Sequence, residues 1–319
     1  FKCLIPSYRN DLVREVDLFE EVARVYGYDK IPSELNFKFS SNSLITDHNI
    51  IEDKIRTILS NNGFNEHYSN SLYSKEETLL SGNPAVELLN PLSIDMKYLR
   101  NSLVPGILKT LSYNEKRENS FLKYYEIGSV NIFSEKKYNL SIENRMLCLG
   151  YLGNSIKSWN GSKLFNIFDV KADISMIFHN LGLGKINFKV QEKYNNDNYK
   201  ISILSNKKII GEIISLDDKI RKKHDIINQV IICNFNLYDI NQVYKKNQIS
   251  YKKIVSYPSI NRDIAILVDS IIEHEKISNI IFNTGSKLLK EVTLFDVYDD
   301  KNLQKNTKSM AYSLKFQSE

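Results

Sequence analysis

The chain has 319 residues, 42% of them apolar and 25% charged, with a formal net charge of +5. That is room for two or three domains with real cores, and no apolar run approaches the roughly 18–20 residues needed to span a bilayer. Cys3, Cys148 and Cys233 lie far apart with no CxxC pair, which argues against a disulfide framework or a zinc site and fits a reducing cytosol. The modest positive charge is compatible with nucleic-acid binding, but a lysine-rich composition alone produces it. His48, His67, His179, His224 and His274 show no ligand spacing. Phe1 stands in place of a starting Met and residues 2–6 read as a strand entered midway, so a fragment lacking its N-terminal part is expected.

The first strong element is residues 11–32, DLVREVDLFEEVARVYGYDKIP. Leu12, Val16, Phe19, Ala23 and Tyr26 recur at spacings of four and three, which predicts one apolar stripe of a helix. Asp11 stands where a short acidic side chain caps free amides, and Gly27 with Pro32 beyond it supplies a stop. Asp17, Glu20 and Glu21 project together from the opposite face, and Asp11 sits about two turns earlier at a similar azimuth. Carboxylates gathered in this way repel one another until a cation or a basic partner screens them. Two readings are open. The face is solvated, with Arg14 pairing Asp17 and Arg24 pairing Glu20 or Glu21; or it is a loose hard-cation site completed by another chain, since magnesium takes few protein carboxylates.

After a polar linker at 36–46, a helix is predicted from about residue 47, with Ile50, Ile51, Ile55, Ile58 and Leu59 inward and Asn61-Asn62-Gly63 at its end. Residues 64–73 read as a strand, 74–80 as a short helix and 85–89 as another strand. Pro105 opens a helix at a position where proline is tolerated, with Leu108, Leu111 and Tyr113 facing inward. Strands are predicted at 121–133, 145–152 and 230–236, a helix at 165–183, and a pair of strands at 200–215 joined through Ser205-Asn206. This order predicts an α+β fold, helices layered on a mostly antiparallel sheet. Gly150-Tyr151-Leu152-Gly153 and Gly182-Leu183-Gly184 are neither a GxGxxG nor a Walker loop. Arg100 reads as a structural residue that caps or pairs near the Pro105 helix. Trp159, in NSIKSWNGSK, is either a partial interface anchor or part of an idle loop.

At the C-terminal end YPSINRD precedes a strand at 264–268, a helix follows at 273–283 closed by Thr284-Gly285, and residues 289–298 and 309–316 alternate. Met310, Tyr312, Leu314 and Phe316 point one way. The β-α-β-β order is the first part of a ferredoxin-like unit, so truncation is expected at this end as well.

Three signatures in order now carry a resemblance. IPSYRND with the acidic helix, NPLSIDMKYLRNSLVPGILKTLSYNEKRE with YYEIGSVNIF, and YPSINRDIAILV with LFDVY and SMAYSLKFQ resemble the bacterial-type phenylalanyl-tRNA synthetase beta subunit. The resemblance implies the end of a small winged-helix-like domain at 1–35, a class II synthetase catalytic-like domain without its chemistry at 36–245, and a ferredoxin-fold anticodon-binding domain at 250–319. It implies a magnesium ion shared with the alpha subunit at Asp11, Asp17, Glu20 and Glu21. It further implies a cytoplasmic alpha2-beta2 heterotetramer that joins phenylalanine to tRNA(Phe), with ATP used on the alpha subunit and editing upstream of Phe1.

No catalytic residue is expected here, nor ATP bound by this chain. Class II activation needs an Arg-x-Glu strand and a Gly-rich strand ending in Arg, because phosphate charge must be neutralised. Tyr124-Tyr125-Glu126-Ile127-Gly128 supplies no such Arg, and no Arg follows the Gly-containing segments at a suitable distance. For the grip on tRNA(Phe), Lys252, Lys253, Arg262, Tyr298, Lys301, Lys305 and Lys308 are the candidates, aromatics stacking bases and cations meeting phosphate. Each lysine has the plainer reading of a surface charge, Tyr298 that of core packing and Arg262 that of an ion pair with Asp263. The rivals are a non-enzymatic RNA-binding or scaffold protein derived from this subunit, and a self-sufficient ligase.

Overall fold

The first helix, α1 (Glu15–Tyr26), starts three residues later than the Asp11 signal suggests. Its N-cap is Arg14, and the Asp17 carboxylate, three residues on, accepts from the amides of Arg14 and Val13 at 2.7 and 3.0 Å. Two amide donors already held by Asp17 need no cap from Asp11. Gly27 closes the helix at φ 100°, a backbone region that disfavours a Cβ. The apolar stripe has the predicted period but is not covered: Val16, Phe19 and Tyr26 are 53%, 61% and 57% exposed.

This computed structural model describes residues 2–33, 49–119, 121–134, 141–153, 159, 161, 165–184, 186–193, 199–205, 207–246, 251, 253–298 and 306–318. The chain forms two compact units, Phe1–Lys54 and Ile55–Glu319. The linker predicted at 36–46 lies outside the described residues. α2 (Asn49–Asn61) buries Ile51, Ile55 and Leu59 and leaves Ile50 half exposed.

In the second unit the strand predicted at 64–73 is two short strands, β1 (Asn65–Glu66) and β2 (Leu72–Tyr73). Between them the chain leaves the sheet, and Ser69 bonds both oxygens of Glu126 at 2.9 and 2.8 Å. α3 (Lys75–Thr78) carries a capping box between Ser74 and Glu77. The strand predicted at 85–89 is a single bridge, Glu87 opposite Tyr98, beside β3 (Tyr98–Leu99), which pairs with β2. α4 (Val104–Glu115) has Pro105 in its first turn and buries Ile107, Leu108 and Leu111. Tyr113, expected inward, is 57% exposed with the Arg117 guanidinium 3.4 Å over its ring. Two residues past Leu111 is about 200° around the helix, which is the outer face.

β4 (Phe121–Phe133) and β5 (Ser141–Gly153) pair along their whole length, from Phe121 opposite Gly153 to Phe133 opposite Ser141. α5 (Ile167–Asn180) starts at an Asn166–Asp169 capping box. Then come β6 (Asn187–Lys193), β7 (Tyr199–Ser205), β8 (Lys208–Ser215), α6 (Asp218–Lys223), β9 (Val230–Asn236) and α7 (Leu237–Lys246). The sheet order is β1-β4-β5-β9-β8-β7-β6, with β1 parallel to β4 and the other pairings antiparallel. Alternation splits its residues between two layers. Leu122, Cys148, Leu152 and Ile232 pack with Ile107, Leu108 and Leu111 of α4; on the opposite face Phe235 meets Phe178 of α5 at 5.9 Å between ring centroids.

The final module is β10 (Ile260–Asp269), α8 (His274–Thr284), β11 (Leu289–Tyr298) and β12 (Thr307–Phe316) in the antiparallel order β10-β12-β11. Met310, Tyr312 and Leu314 are buried with Ile277 and Leu289, as the alternation predicts. The chain is α+β as expected. Among the described residues no helix is long and apolar enough to cross a membrane.

Candidate functional site

On α1 the acidic face is tied to arginines. Arg9 reaches Asp11 Oδ2 at 2.7 Å and Glu21 Oε1 at 2.6 Å, Arg24 reaches Glu21 Oε2 at 2.7 Å, and Arg14 approaches Asp17 Oδ1 at 3.3 Å. These bonds hold the Asp11 carboxyl, through Arg9, and the Glu21 carboxyl, through Arg9 and then Arg24, below the usual range. Asp17 is lowered first by the amide bonds of Arg14 and Val13. Glu20 is exposed. The Arg14–Asp17 and Arg24–Glu21 pairs are those of the solvated-face reading. Arg9 is the addition that periodicity did not show, although its place two residues before Asp11 was visible. Carboxylate oxygens suit a hard cation. Among the described residues, however, no three His, Cys, Asp or Glu side chains are gathered as a metal would need, and three of the four candidates are already engaged.

The tRNA candidates divide. Lys252, Lys301 and Lys305 lie outside the described residues. Lys253 and Arg262 are exposed, and Lys308 is half-buried opposite Val268. By alternation with Ile264 and Met310, Arg262 and Lys308 belong to the face that α8 covers. Tyr298 pairs with Ser309 on the opposite, open face and is 46% exposed, not core. The structure therefore does not bring these three onto one surface. The open face also carries Asp263, Asp269, Glu291 and Asp296, where a cation ring was expected.

At the heart of the larger sheet, Arg100 Nη1 meets Glu126 Oε1 at 2.7 Å, with side chains 7% and 1% exposed. Arg100 Nε donates to the Ser129 carbonyl at 2.7 Å, and the Arg100 carbonyl accepts from the Asn131 amide at 2.8 Å. Arg100 thus pins the approach to α4 onto β4, the structural role expected of it. Gly128 has to lack a side chain here, because a Cβ would overlap the Arg100 guanidinium. Beside this pair lies a cleft of ≈ 650 Å³ lined by His67, Tyr73, Glu77, Lys109, Thr110 and His224 among others. In its wall Lys109 pairs Glu77 at 2.5 Å, and Thr110 bonds the His67 ring at 3.3 Å.

Burial lowers the pKa of both His67 and His224 below the ordinary 6.5, and for His67 the Glu126 charge only partly opposes this. The unfolded chain then binds protons that the folded chain refuses. The stability these neutral rings contribute is fully present above pH 6.5 and is lost as pH falls below it. Urea midpoints measured across that window are expected to fall with pH, and His67→Gln is expected to flatten the slope. A slope unchanged by that substitution would show that His67 does not report.

A long sheet, antiparallel except where β1 meets β4 and flanked by helices, is similar in fold to solved aminoacyl-tRNA synthetases. The pyrrolysyl-tRNA synthetase of Desulfitobacterium hafniense matches 63% of this chain and 70% of its own, with a TM-score of 0.51 and 14% identity. A second structure of that enzyme gives 0.50 and 15%. Family models match three stretches: the tRNA synthetase B5 domain at 1–28, the phenylalanyl tRNA synthetase beta chain CLM domain at 31–237, and the ferredoxin-fold anticodon binding domain at 255–319. The chain belongs to the phenylalanyl-tRNA synthetase beta chain family. The phenylalanine–tRNA ligase beta subunit of Bacteroides fragilis is 32% identical over 99% of this chain, and that of Bacillus subtilis 32% over 98%. The chain spans 40% and 39% of those two relatives' lengths.

Proposed function

We propose that this chain is the C-terminal part of a phenylalanine–tRNA ligase beta subunit, supplying shape and tRNA grip to an alpha subunit that performs ATP-dependent aminoacylation in a cytoplasmic alpha2-beta2 assembly. One observation carries the division of labour. The cleft on the α4 side of the large sheet is lined by amide and aliphatic side chains, and its lysine, Lys200, is tied to Glu212 at 2.9 Å. A triphosphate needs unpaired cations, and a carboxylate in the same wall repels it. Mixing the full-length protein with an alpha subunit from the same cell tests the reading: co-purification and phenylalanylation of tRNA support it. Failure of both favours the non-enzymatic scaffold, and phenylalanylation by the beta chain alone the self-sufficient ligase.

In this reading Asp11, Asp17, Glu20 and Glu21 would hold the magnesium ion together with the alpha subunit, which would supply a bridging charge at the interface. Asp17 also caps α1, so the informative variant is Glu20→Gln with Glu21→Gln, which leaves the helix start intact. Association with the alpha subunit, followed by sedimentation across a magnesium series, is expected to weaken and lose its magnesium dependence. Identical curves for the variant and the parent protein would leave only the solvated face. For tRNA, the acids on the open sheet face favour contact along the side and edges that carry Arg262 and Lys308.

A further inference from the structure

The cleft named above, ≈ 460 Å³ in volume, is floored by one face of the large sheet: Ile132 of β4, Asn144 and Met146 of β5, Ile232 and Asn234 of β9, and Ile214 of β8. The segment between β3 and α4 closes one side, and the Asn101 amide there donates to the Thr78 and Asn83 carbonyls at 2.9 and 2.7 Å. The rim is thereby held in place, and Asn101 is only 2% exposed. Its Oδ1 is buried without a hydrogen-bond partner. Asn144 and Asn234 are half-buried on the floor, and neither side chain has a hydrogen-bond partner among the described residues. The buried Asn101 oxygen is costly to leave unsatisfied unless something in the cavity meets it, and the two floor amides offer further donors and acceptors beside it.

The spacing of those amides sets the size of the occupant. Asn234 pairs with Cys148, four residues along β5 from Asn144, so the two amides stand about 13–14 Å apart along the strand direction. Side chains reaching inward from both ends leave a molecule of about 10 Å between them. Its middle lies over Met146, Ile214 and Ile232 and is flat or apolar. Its charge is set by Lys200 and Glu212: they neutralise each other at 2.9 Å, and no other cation lines the cleft among the described residues. An asparagine amide donates and accepts at once and can pair with two atoms on the edge of a nucleobase.

We propose that this cleft is a binding site for an uncharged nucleoside, its base and its sugar each meeting one of the amides of Asn144 and Asn234. The site accepts the nucleoside and disfavours the nucleotide, because a phosphate would lie against Glu212 with no free cation to meet it. This holds whichever subunit performs the chemistry.

Titration calorimetry of the full-length protein with adenosine, guanosine, cytidine and uridine, and with AMP as the charged control, reads the site directly. At least one nucleoside is expected to bind saturably, and its monophosphate more weakly. Asn234→Leu is expected to lower that affinity about tenfold or more, since the amide is lost while the wall is kept. Asn144→Ser is the milder second variant, with thermal melts confirming that both still fold. Saturable binding that both variants weaken supports the site. No saturable nucleoside binding, binding untouched by either variant, or AMP binding as tightly as adenosine would each overturn it.

Discussion

Glu126→Ala is expected to lower the unfolding free energy of the sheet domain by about 3–5 kcal/mol, the cost of stranding a buried charge. With the carboxylate gone, the Arg100 guanidinium keeps the Ser129 carbonyl and the Ser69 hydroxyl as acceptors, neither of which carries charge. Ser69 loses both of its carboxylate partners at the same time. Arg100→Met is expected to cost a comparable amount, because it leaves Glu126 buried with Ser69 as its hydrogen-bond donor and the His67 ring at 3.9 Å. The pair Arg100→Met with Glu126→Leu should cost far less than the sum of the single changes, since two well-packed apolar side chains can replace a buried ion pair almost neutrally. Urea unfolding of the four proteins measures the cycle. A loss below about 1 kcal/mol for Glu126→Ala would mean that water still reaches the pair, as at a surface salt bridge.

How far the sequence announces this arrangement differs from element to element. β4 stands where the run from Phe121 to Phe133 put it, and β12 buries the residues that alternation selected, because period 2 with one apolar face is hard to mistake. α7 was missed although Asn236 accepts from the Tyr238 amide and Leu237, Ile240 and Val243 are buried at spacings of three. The helix has only ten residues, with Asp239, Asn241 and Gln242 between its apolar positions and two lysines at its end, so its signal was buried in polar composition. β6 is a polar edge strand, which needs no alternation to pair on one side. At the sites the limits are of another kind. The Arg14–Asp17 pair was legible because it is local, three residues apart on one helix. Glu126 is 26 residues from Arg100 and joins it only through the β-sheet. The amides of the nucleoside cleft come from two strands brought together by the register of β5 and β9, which no linear motif encodes. The tRNA candidates were chosen by residue type, cations for phosphate and an aromatic for bases, and residue type does not reveal which face of a strand a residue occupies.

Gly150→Ala is expected to destabilise the same domain by about 1–3 kcal/mol, although alanine stiffens the unfolded chain and would by itself stabilise. Gly150 lies on β5 between Tyr124 and Ile232, directly under α4. A Cβ there would overlap Cγ2 of Ile107, with Leu111 Cδ1 at 3.5 Å and Ile232 Cδ1 at 3.6 Å closing the other directions. Ile107 is fully buried, and a β-branched side chain in a helix has one strongly preferred rotamer, so it cannot swing aside. The helix must rise from the sheet or the strand must bend. Ile107→Ala alone opens a cavity and is expected to cost about 2–5 kcal/mol. Combined, the new methyl occupies part of the space the isoleucine vacated, so the double variant should be more stable than the sum predicts by about 0.5–3 kcal/mol. Thermal or urea unfolding of the four proteins separates the cases. Strict additivity would mean that the helix–strand contact is looser than the fit of Ile107 over Gly150 implies, and that the glycine serves the strand for a reason other than close approach.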